Sequence, residues 1–353
     1  MLKVEKRLEI PAKLQILTPI LSVVAALLFS SLILLVTGES ATRAMDTIFG
    51  GSIVNWQEVL VNGITLMILS IGVAVAFKMV IWNVGAAGQM MIGMIFAAGV
   101  ALFLPGRLNF ELPSVVLILL MSLAAVLGGG LWALISGGAK AFWNVNEVIT
   151  SLLLNYVALY VLQFLVYGPW KGVTSIGFPQ TDPFPAAARI PTIFPTGRIH
   201  YGLFVAVAIV IIFYFLLNKS RWGYEIRVIG EGRNVARYGG MSLAKNIVVA
   251  MFVSGGLAGL AGAIQISALE GRLSPHLNTD IGYTAIIVVW LSRLHPLVIG
   301  VVSVFMGALL YAETSLPAAG IPQEIAKLLQ GSILLFVIAG DFFAKYKVKR
   351  VKE

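Results

Sequence analysis

The side chains best able to bind a polar solute form a stripe around residue 150. Glu147, Ser151 and Asn155 are spaced i, i+4 and i+8, with Thr150 beside them, so they lie near one face of a helix. Their carboxylate, hydroxyl and amide groups can exchange hydrogen bonds with a polar solute. The stripe has two interpretations, which are hydrogen bonding between packed helices and the hydrophilic wall of a substrate passage.

A second polar group opens an otherwise apolar run. Its sequence is WNVGAAGQ, from Trp82 to Gln89. Asn83 and Gln89 have the same two interpretations as the stripe. The glycines between them indicate a helix that begins irregularly.

The sequence lacks the residue patterns that catalysis or metal binding would need. The chain has no cysteine, and its three histidines, His200, His276 and His295, are scattered without an H-x-x-x-H pair. No nucleophile or pair of acids falls in a consistent location, which disfavours a membrane enzyme. We predict no catalytic residues and no metal site.

Energy from ATP would have to come from another chain. The sequence contains no G-x-x-x-x-G-K-[ST] motif, and Gly230-x-Gly232 is followed by Val235 where a dinucleotide-binding loop has its third glycine. We therefore expect no cofactor on this chain, with any ATP and magnesium bound by a partner. Ionisable residues lie only near span ends, which argues against a proton-driven carrier but leaves sodium coupling open.

The composition indicates an all-α polytopic membrane protein. Of 353 residues, 59% are hydrophobic and 12% are charged, and the mean hydropathy is +0.93. Ten apolar segments are predicted, including a retained first span. They are Ile16–Val36, Val59–Phe77, Met79–Leu104, Leu112–Ile135, Val145–Tyr167, Tyr201–Leu217, Ile247–Leu269, Ile281–Leu291, Leu297–Ala312 and Ile325–Phe343.

The charges orient these spans. With both termini in the cytoplasm, 18 of the 25 Lys and Arg residues lie inside, as the positive-inside rule requires. The net charge of +9 sits in short loops, so it anchors topology and does not indicate nucleic-acid binding. We expect one permease domain over residues 1–353, with spans over 16–217 and 247–343 and a loop over 218–246.

Spans two to five and seven to ten form two four-span units that enter the membrane from opposite sides. In each unit the second span is abnormal, being interrupted in the first unit and about 11 residues long in the second. Interrupted segments at matching places in inverted units point to a transport path.

The central loop, Asn218–Lys245, is basic and therefore cytoplasmic in this topology. Residues Glu231–Tyr238 are predicted to form a short amphipathic helix that ends at Gly239-Gly240. A loop of this length favours docking of a cytoplasmic partner. A basic loop that faces solvent or lipid is the alternative.

Two further segments carry weaker signals. The proline-rich loop, Gly168–His200, contains six prolines and interleaved aromatic residues, so it is either a connector or a docking surface. Gly255–Ala263 is a run of small residues that predicts close packing of helices.

Several stretches together resemble the permease subunits of ABC importers for simple sugars and nucleosides. They are WNVGAAGQMMIG at 82–93, NVNEVITSLLLNYVALY at 144–160, YGPWKG at 167–172, GEGRNVARYGGMSLAKNIVVAMFVSGGLAGLAGAIQ at 230–265 and IGYTAIIVVWLSRLHPL at 281–297. The likeness is greatest to the longer permease of nucleoside importers. Ala87 is a departure, because relatives often carry Glu there.

The resemblance implies a fold similar to that of vitamin B12-type importer permeases. It implies coupling to an ABC ATPase through the central loop, with Glu231, Arg233, Asn234, Arg237 and Tyr238 as the contact residues. It also implies a second, shorter permease and an extracytoplasmic substrate-binding lipoprotein. The residues assigned to lipoprotein docking are Trp170, Lys171, Phe178 and Phe184.

Two functions follow as hypotheses. The first is the permease subunit of an ATP-driven importer in the plasma membrane, which moves a nucleoside or simple sugar by alternating access. The second is an ion-coupled secondary transporter that works without an ATPase.

Overall fold

The computed structural model describes residues 2–7, 12–107, 112–173, 178–275, 277 and 280–350, so His276 lies outside the described residues. Helices make up almost all of the regular structure in this part of the chain. The α-helices are α1 (Ala12–Val36), α2 (Ala41–Met45), α3 (Gly51–Val54), α4 (Trp56–Phe77), α5 (Ala86–Phe103), α6 (Ser114–Trp143), α7 (Glu147–Tyr167), α8 (Gly202–Lys219), α9 (Arg221–Glu231), α10 (Arg233–Tyr238), α11 (Leu243–Gln265), α12 (Ile281–Leu291), α13 (Pro296–Ser315) and α14 (Glu324–Lys345).

Shorter elements complete the described chain. Two antiparallel strands, β1 (Leu2–Lys6) and β2 (Tyr346–Arg350), pair near the chain ends. Single π-helical turns cover Asp46–Gly50 and Ile266–Glu270, and 3₁₀ turns cover Pro105–Arg107, Ala186–Ala188 and Pro317–Ala319.

The prediction of an all-α polytopic membrane protein is confirmed. In the described ranges, nine helices are long and apolar enough to cross a membrane, and α12 is a shorter apolar helix at Ile281–Leu291. These ten segments match the ten predicted spans. The largest difference is α6, whose 30 residues extend to Trp143 although the prediction ended at Ile135. The helix continues until Asn144 adopts a left-handed conformation at φ 52°.

The chain divides into two compact units, Met1–Val59 with Ala308–Glu353, and Leu60–Gly307. In the first unit α1 packs along α14. Ser22 donates a hydrogen bond to the Phe336 carbonyl at 2.9 Å, and the rings of Phe29 and Phe336 are 5.7 Å apart. A single permease domain over the whole chain stays a prediction.

Small residues pack the centre of the second unit, where α5, α6 and α11 meet. A Cβ on Gly259 would overlap the Ala125 carbonyl oxygen, and one on Gly93 would overlap Gly259 itself. A Cβ on Gly255 would overlap the Gly129 carbonyl oxygen. The close packing predicted for Gly255–Ala263 is therefore confirmed, and it brings α11 against the start of α5.

Candidate functional site

The connection between α4 and α5 is a non-helical segment in the second unit. Helix α4 ends at Phe77, and α5 begins only at Ala86. The sequence predicted that this span starts at Met79. Gly85 at the N-cap position has no side chain to accept a hydrogen bond, so the first N–H groups of α5 and those just before it need partners from elsewhere.

Helix α7 supplies those partners from the predicted stripe. The backbone N–H of Trp82 donates to Glu147 Oε1 at 3.4 Å, and that of Val84 donates to Ser151 Oγ at 3.2 Å. The N–H of Gly88 donates to the Asn155 amide oxygen at 2.8 Å. The i, i+4, i+8 spacing thus matches a neighbouring run of backbone donors. All three stripe side chains are buried.

Asn83 of this segment and Gln89 in the first turn of α5 form a second buried set. The two side-chain amides exchange a pair of hydrogen bonds, each 2.9 Å long. Asn83 Oδ1 also accepts from the Gly85 N–H at 3.0 Å, and its Nδ2 donates to Ser254 Oγ on α11 at 2.8 Å. Both residues are at most 1% exposed. Their amides therefore fix the segment on α11 while the stripe fixes it on α7.

The second abnormal span begins beside the first. The amide nitrogen of Asn155 donates to the Val84 carbonyl at 3.0 Å and to the Tyr283 hydroxyl at 3.1 Å. Tyr283 lies in the first turn of α12 and is 36% exposed. A Cβ on Gly282 would come within 2.6 Å of the Ala87 nitrogen. Asn155 therefore joins the starts of the two interrupted helices, α5 and α12.

The far end of α12 also contacts the non-helical segment. The ring systems of Trp82 and Trp290 stack with centroids 5.6 Å apart and planes at 19°. Sequence reasoning assigned no role to Tyr283 or Trp290. The signal available for them was their position in the second interrupted span, opposite the polar group of the first.

The stripe ends at a buried ion pair. Lys140 Nζ lies 2.9 Å from Glu147 Oε2, with side chains 13% and 7% exposed. Thr150 differs from its neighbours, because its hydroxyl donates only to carbonyls of its own helix, Asn146 at 2.9 Å and Glu147 at 3.3 Å. Of the six residues assigned to the passage, the structure brings five into one buried network and leaves Thr150 outside it.

The central loop folds into two helices, α9 and α10. The predicted helix at Glu231–Tyr238 exists from Arg233, whereas α9 was not predicted. Ile226 and Ile229 of α9 and Ala236 of α10 are buried, and they pack the two helices against the rest of the second unit. Gly240, at φ 74°, ends it as expected. Glu231 and the α10 residues Arg233, Asn234, Arg237 and Tyr238 are exposed, and we call these five residues the exposed face of α10.

The proline-rich loop lies along the end of α11 and the chain that follows it. The N–H of Phe184 donates to the Gly271 carbonyl at 2.8 Å, and that of Ile190 donates to the Ser267 carbonyl at 3.2 Å. Phe184 is only 4% exposed, whereas Phe178 is 72% exposed. The expectation that Phe184 presents a surface for docking is therefore corrected: its ring anchors the loop.

Trp170 and Lys171 of this loop line a cavity between the loop and the end of α5. The cavity has a volume of about 430 Å³, and Phe103, Asp182 and several prolines also line it. The Trp170 ring lies 5.3 Å from that of Phe103, edge to face. Two of the four residues predicted for docking thus share a concave surface.

His200 follows the loop and precedes α8. It is fully buried, and its Nδ1 accepts a hydrogen bond from the Gly202 N–H at 3.2 Å. Burial lowers its pKa from 6.5 to about 4, because the charged imidazolium is poorly solvated there. His200 is therefore neutral at physiological pH. No cluster of three metal-ligating side chains occurs within the described ranges.

Comparison with known proteins decides what kind of membrane protein this is. A family model described as "Branched-chain amino acid transport system / permease component" matches residues 55–338. The chain belongs to this permease family. The match includes both interrupted spans, the central loop and the proline-rich loop.

Three relatives of this permease are similar over nearly their whole length. A glucose ABC transporter permease of Haloferax volcanii is 32% identical, over 98% of this chain and 93% of its own. A guanosine ABC transporter permease of Bacillus subtilis is 28% identical, over 96% and 97%. A nucleoside ABC transporter permease of Lactococcus lactis is 26% identical, over 96% and 94%. The chain is thus a multi-pass permease subunit of an ABC importer.

Proposed function

We propose that this permease moves a nucleoside or a simple sugar across the plasma membrane. The observation that carries the proposal is the junction at Asn155, where two interrupted helices begin side by side. Interrupted helices mark the binding and gating region of many transporters, because their free ends and polar side chains can face a solute. The relatives named for glucose, guanosine and nucleosides support this solute class.

In this proposal the polar residues form the wall of the passage. Asn83, Gln89, Glu147, Ser151 and Asn155 hold the non-helical segment in place, and Thr150 extends the stripe on α7. Tyr283, a partly exposed residue, contributes a hydroxyl beside Asn155. Alternating access would then break or remake the bond between Asn155 of α7 and Tyr283 of α12, which holds the start of α12 beside the start of α5.

Energy would come from an ATPase subunit bound to the exposed face of α10. This face carries two arginines and an almost fully exposed tyrosine, Tyr238, on a short helix that buried side chains hold in place. Tyrosine and arginine are common anchors of protein interfaces. The proposal places this face and both chain termini in the cytoplasm, and ATP with magnesium on the partner.

Two further partners complete the proposed assembly. A second, shorter permease would form the other half of the pathway. A substrate-binding lipoprotein would deliver solute at the proline-rich loop, where Trp170, Lys171 and exposed Phe178 offer an aromatic and cationic surface.

The experiment is ATP-dependent uptake of labelled guanosine and labelled glucose by vesicles that contain the assembled complex. We expect one of the two solutes to be taken up. The double variant Arg233→Glu, Arg237→Glu should lose ATPase binding and lower uptake by about tenfold or more, because it reverses the charge of the contact.

The matched control is Lys219→Glu, Arg221→Glu, which makes the same charge change at exposed positions of α8 and α9, outside the proposed contact residues. Normal ATPase binding and uptake by the α10 variant, or equal losses in both variants, would contradict the coupling role of this face.

A further inference from the structure

Helix α9 rests directly on the turn that follows α4. A Cβ on Gly230 would overlap the carbonyl oxygen of Lys78 and would come within 3.6 Å of the Met79 Cα. The contact is between two backbones, so neither side can yield by changing a rotamer. Gly230 is therefore the residue that allows α9 to reach this turn.

The same contact continues as a hydrophobic cluster. Met79 and Ile81, from the turn and the residues after it, are buried together with Ile226 and Ile229 of α9 and Ala236 of α10. Each of these side chains is at most 2% exposed. Because protein interiors are close-packed and transmit displacement, we expect α9, α10 and the turn to move together.

Two basic residues belong to this contact region, Lys78 in the turn and Arg227 on α9. Lys78 is partly buried, and burial, together with the nearby Arg227 guanidinium, lowers its pKa. The Arg227 guanidinium donates a hydrogen bond to the Leu217 carbonyl near the end of α8. Lys78 of the turn and Arg227 of α9 are thus near each other, next to the apolar cluster that joins the two elements.

The turn itself is strained. Val80 has φ 55°, a conformation that β-branched residues rarely adopt. Such strain persists only where the surroundings fix it. Shortly after the turn, the backbone N–H of Trp82 donates to Glu147 and that of Val84 donates to Ser151. The strained turn therefore lies between the α9 contact and the network at Asn155.

We infer that Gly230 is the positioning residue through which the central helix pair moves the start of α5. Displacement of α10 would shift α9 and the Lys78–Val80 turn, and the segment Ile81–Gly85 would carry that shift to Asn155 and Tyr283. The inference rests on the proposed function and deepens it, since it names the route by which ATPase binding reaches the passage.

The test compares two glycines of the same loop in the reconstituted complex. Gly230→Ala forces α9 away from the turn. Gly232→Ala is the matched control, because its Cβ would meet only the Val235 side chain, at 3.3 Å, and its φ of −171° suits any residue. We expect Gly230→Ala to keep ATPase binding and ATP hydrolysis but to lower uptake by about tenfold or more, with Gly232→Ala unchanged.

Equal uptake by the two variants would overturn the inference and leave the proposed function standing. Absence of ATP-driven uptake by the unmodified complex would overturn the proposed function itself. The two failures are therefore distinguishable.

A second measurement covers the case in which Gly230→Ala does not fold. The chain has no cysteine, so spin labels can be placed on Val80→Cys and on Tyr224→Cys with Gly230 intact, in a complex whose other subunits lack reactive cysteines. Tyr224 lies on α9, is 55% exposed and is not one of the proposed ATPase contacts. On ATP binding the distance between these labels should stay within about 2 Å, while that between Tyr224→Cys and Tyr160→Cys on α7 should change. A changing Val80–Tyr224 distance would show that the turn and the helix pair do not move together.

Discussion

At the residue scale, Glu147 carries two bonds of different kinds. One carboxylate oxygen accepts the Trp82 N–H, and the other pairs with Lys140 at 2.9 Å. Both side chains of the ion pair are largely buried, so each charge depends on the other for solvation. Replacing only Glu147 or only Lys140 should therefore lower the free energy of unfolding more than replacing both.

We predict that Glu147→Gln lowers the free energy of unfolding by about 3 kcal/mol, because Lys140 is left buried without a counterion. The double variant Glu147→Gln, Lys140→Met should recover most of that loss. Unfolding of the purified chain in detergent, followed by circular dichroism, measures both changes. If the double variant is less stable than the single one, the pair is not the reason for the effect.

The stripe shows how far sequence reasoning reaches at this scale. Its periodicity predicted that Glu147, Ser151 and Asn155 share a face, and they do. Their partners are backbone N–H groups of residues 82–88, and no side-chain pattern encodes such partners. The spacing thus left two interpretations open, and the structure shows hydrogen bonding. A role in solute passage stays a prediction.

At the element scale, the start of α5 was predicted only in part, and helix α9 was not predicted at all. The polar, glycine-containing stretch predicted an irregular start, but hydropathy alone placed that start at Met79. The helix begins at Ala86 because α7 and α11 supply hydrogen bonds that make a non-helical segment acceptable there. Helix α9 was missed because its charges resemble those of a solvated loop, whereas Ile226 and Ile229 are buried by tertiary contacts.

Glycines set the spacing of α5, α6 and α11. We predict that Gly259→Ala destabilises the protein by about 3 kcal/mol or more, because its Cβ would overlap the Ala125 carbonyl oxygen on α6. Gly138→Ala on α6 is the control, since nothing lies within 4 Å of its Cβ. This control should be neutral or slightly stabilising, because alanine favours the helix. Comparable melting temperatures for the two variants would contradict the packing argument.

At the scale of the whole molecule, hydropathy predicted the number and order of the apolar segments that the described chain shows. The cause is simple: a helix that crosses the hydrocarbon core must be apolar over about 20 residues, and such a run is visible in the sequence. The division into two compact units could not be predicted from the sequence in the same way. It depends on which helices pack together, as α1 does with α14, and not on composition.

The proposed orientation can be tested by labelling. Phe178 in the proline-rich loop is 72% exposed, and Asn234 lies on the exposed face of α10. We predict that an impermeant maleimide labels Phe178→Cys in intact spheroplasts and labels Asn234→Cys only after permeabilisation. The opposite pattern would invert the topology and remove the cytoplasmic assignment of α10.

Pairing of β1 with β2 has a consequence for the count of crossings. Leu2 pairs with Arg350, and Lys6 pairs with Tyr346, which requires both strands to be on the same side of the bilayer. A chain whose ends meet in this way crosses the bilayer an even number of times. If each of the nine long helices of the described chain is one crossing, their number is odd. An even total then requires one more crossing, and α12, with 11 residues, is the apolar helix that would supply it.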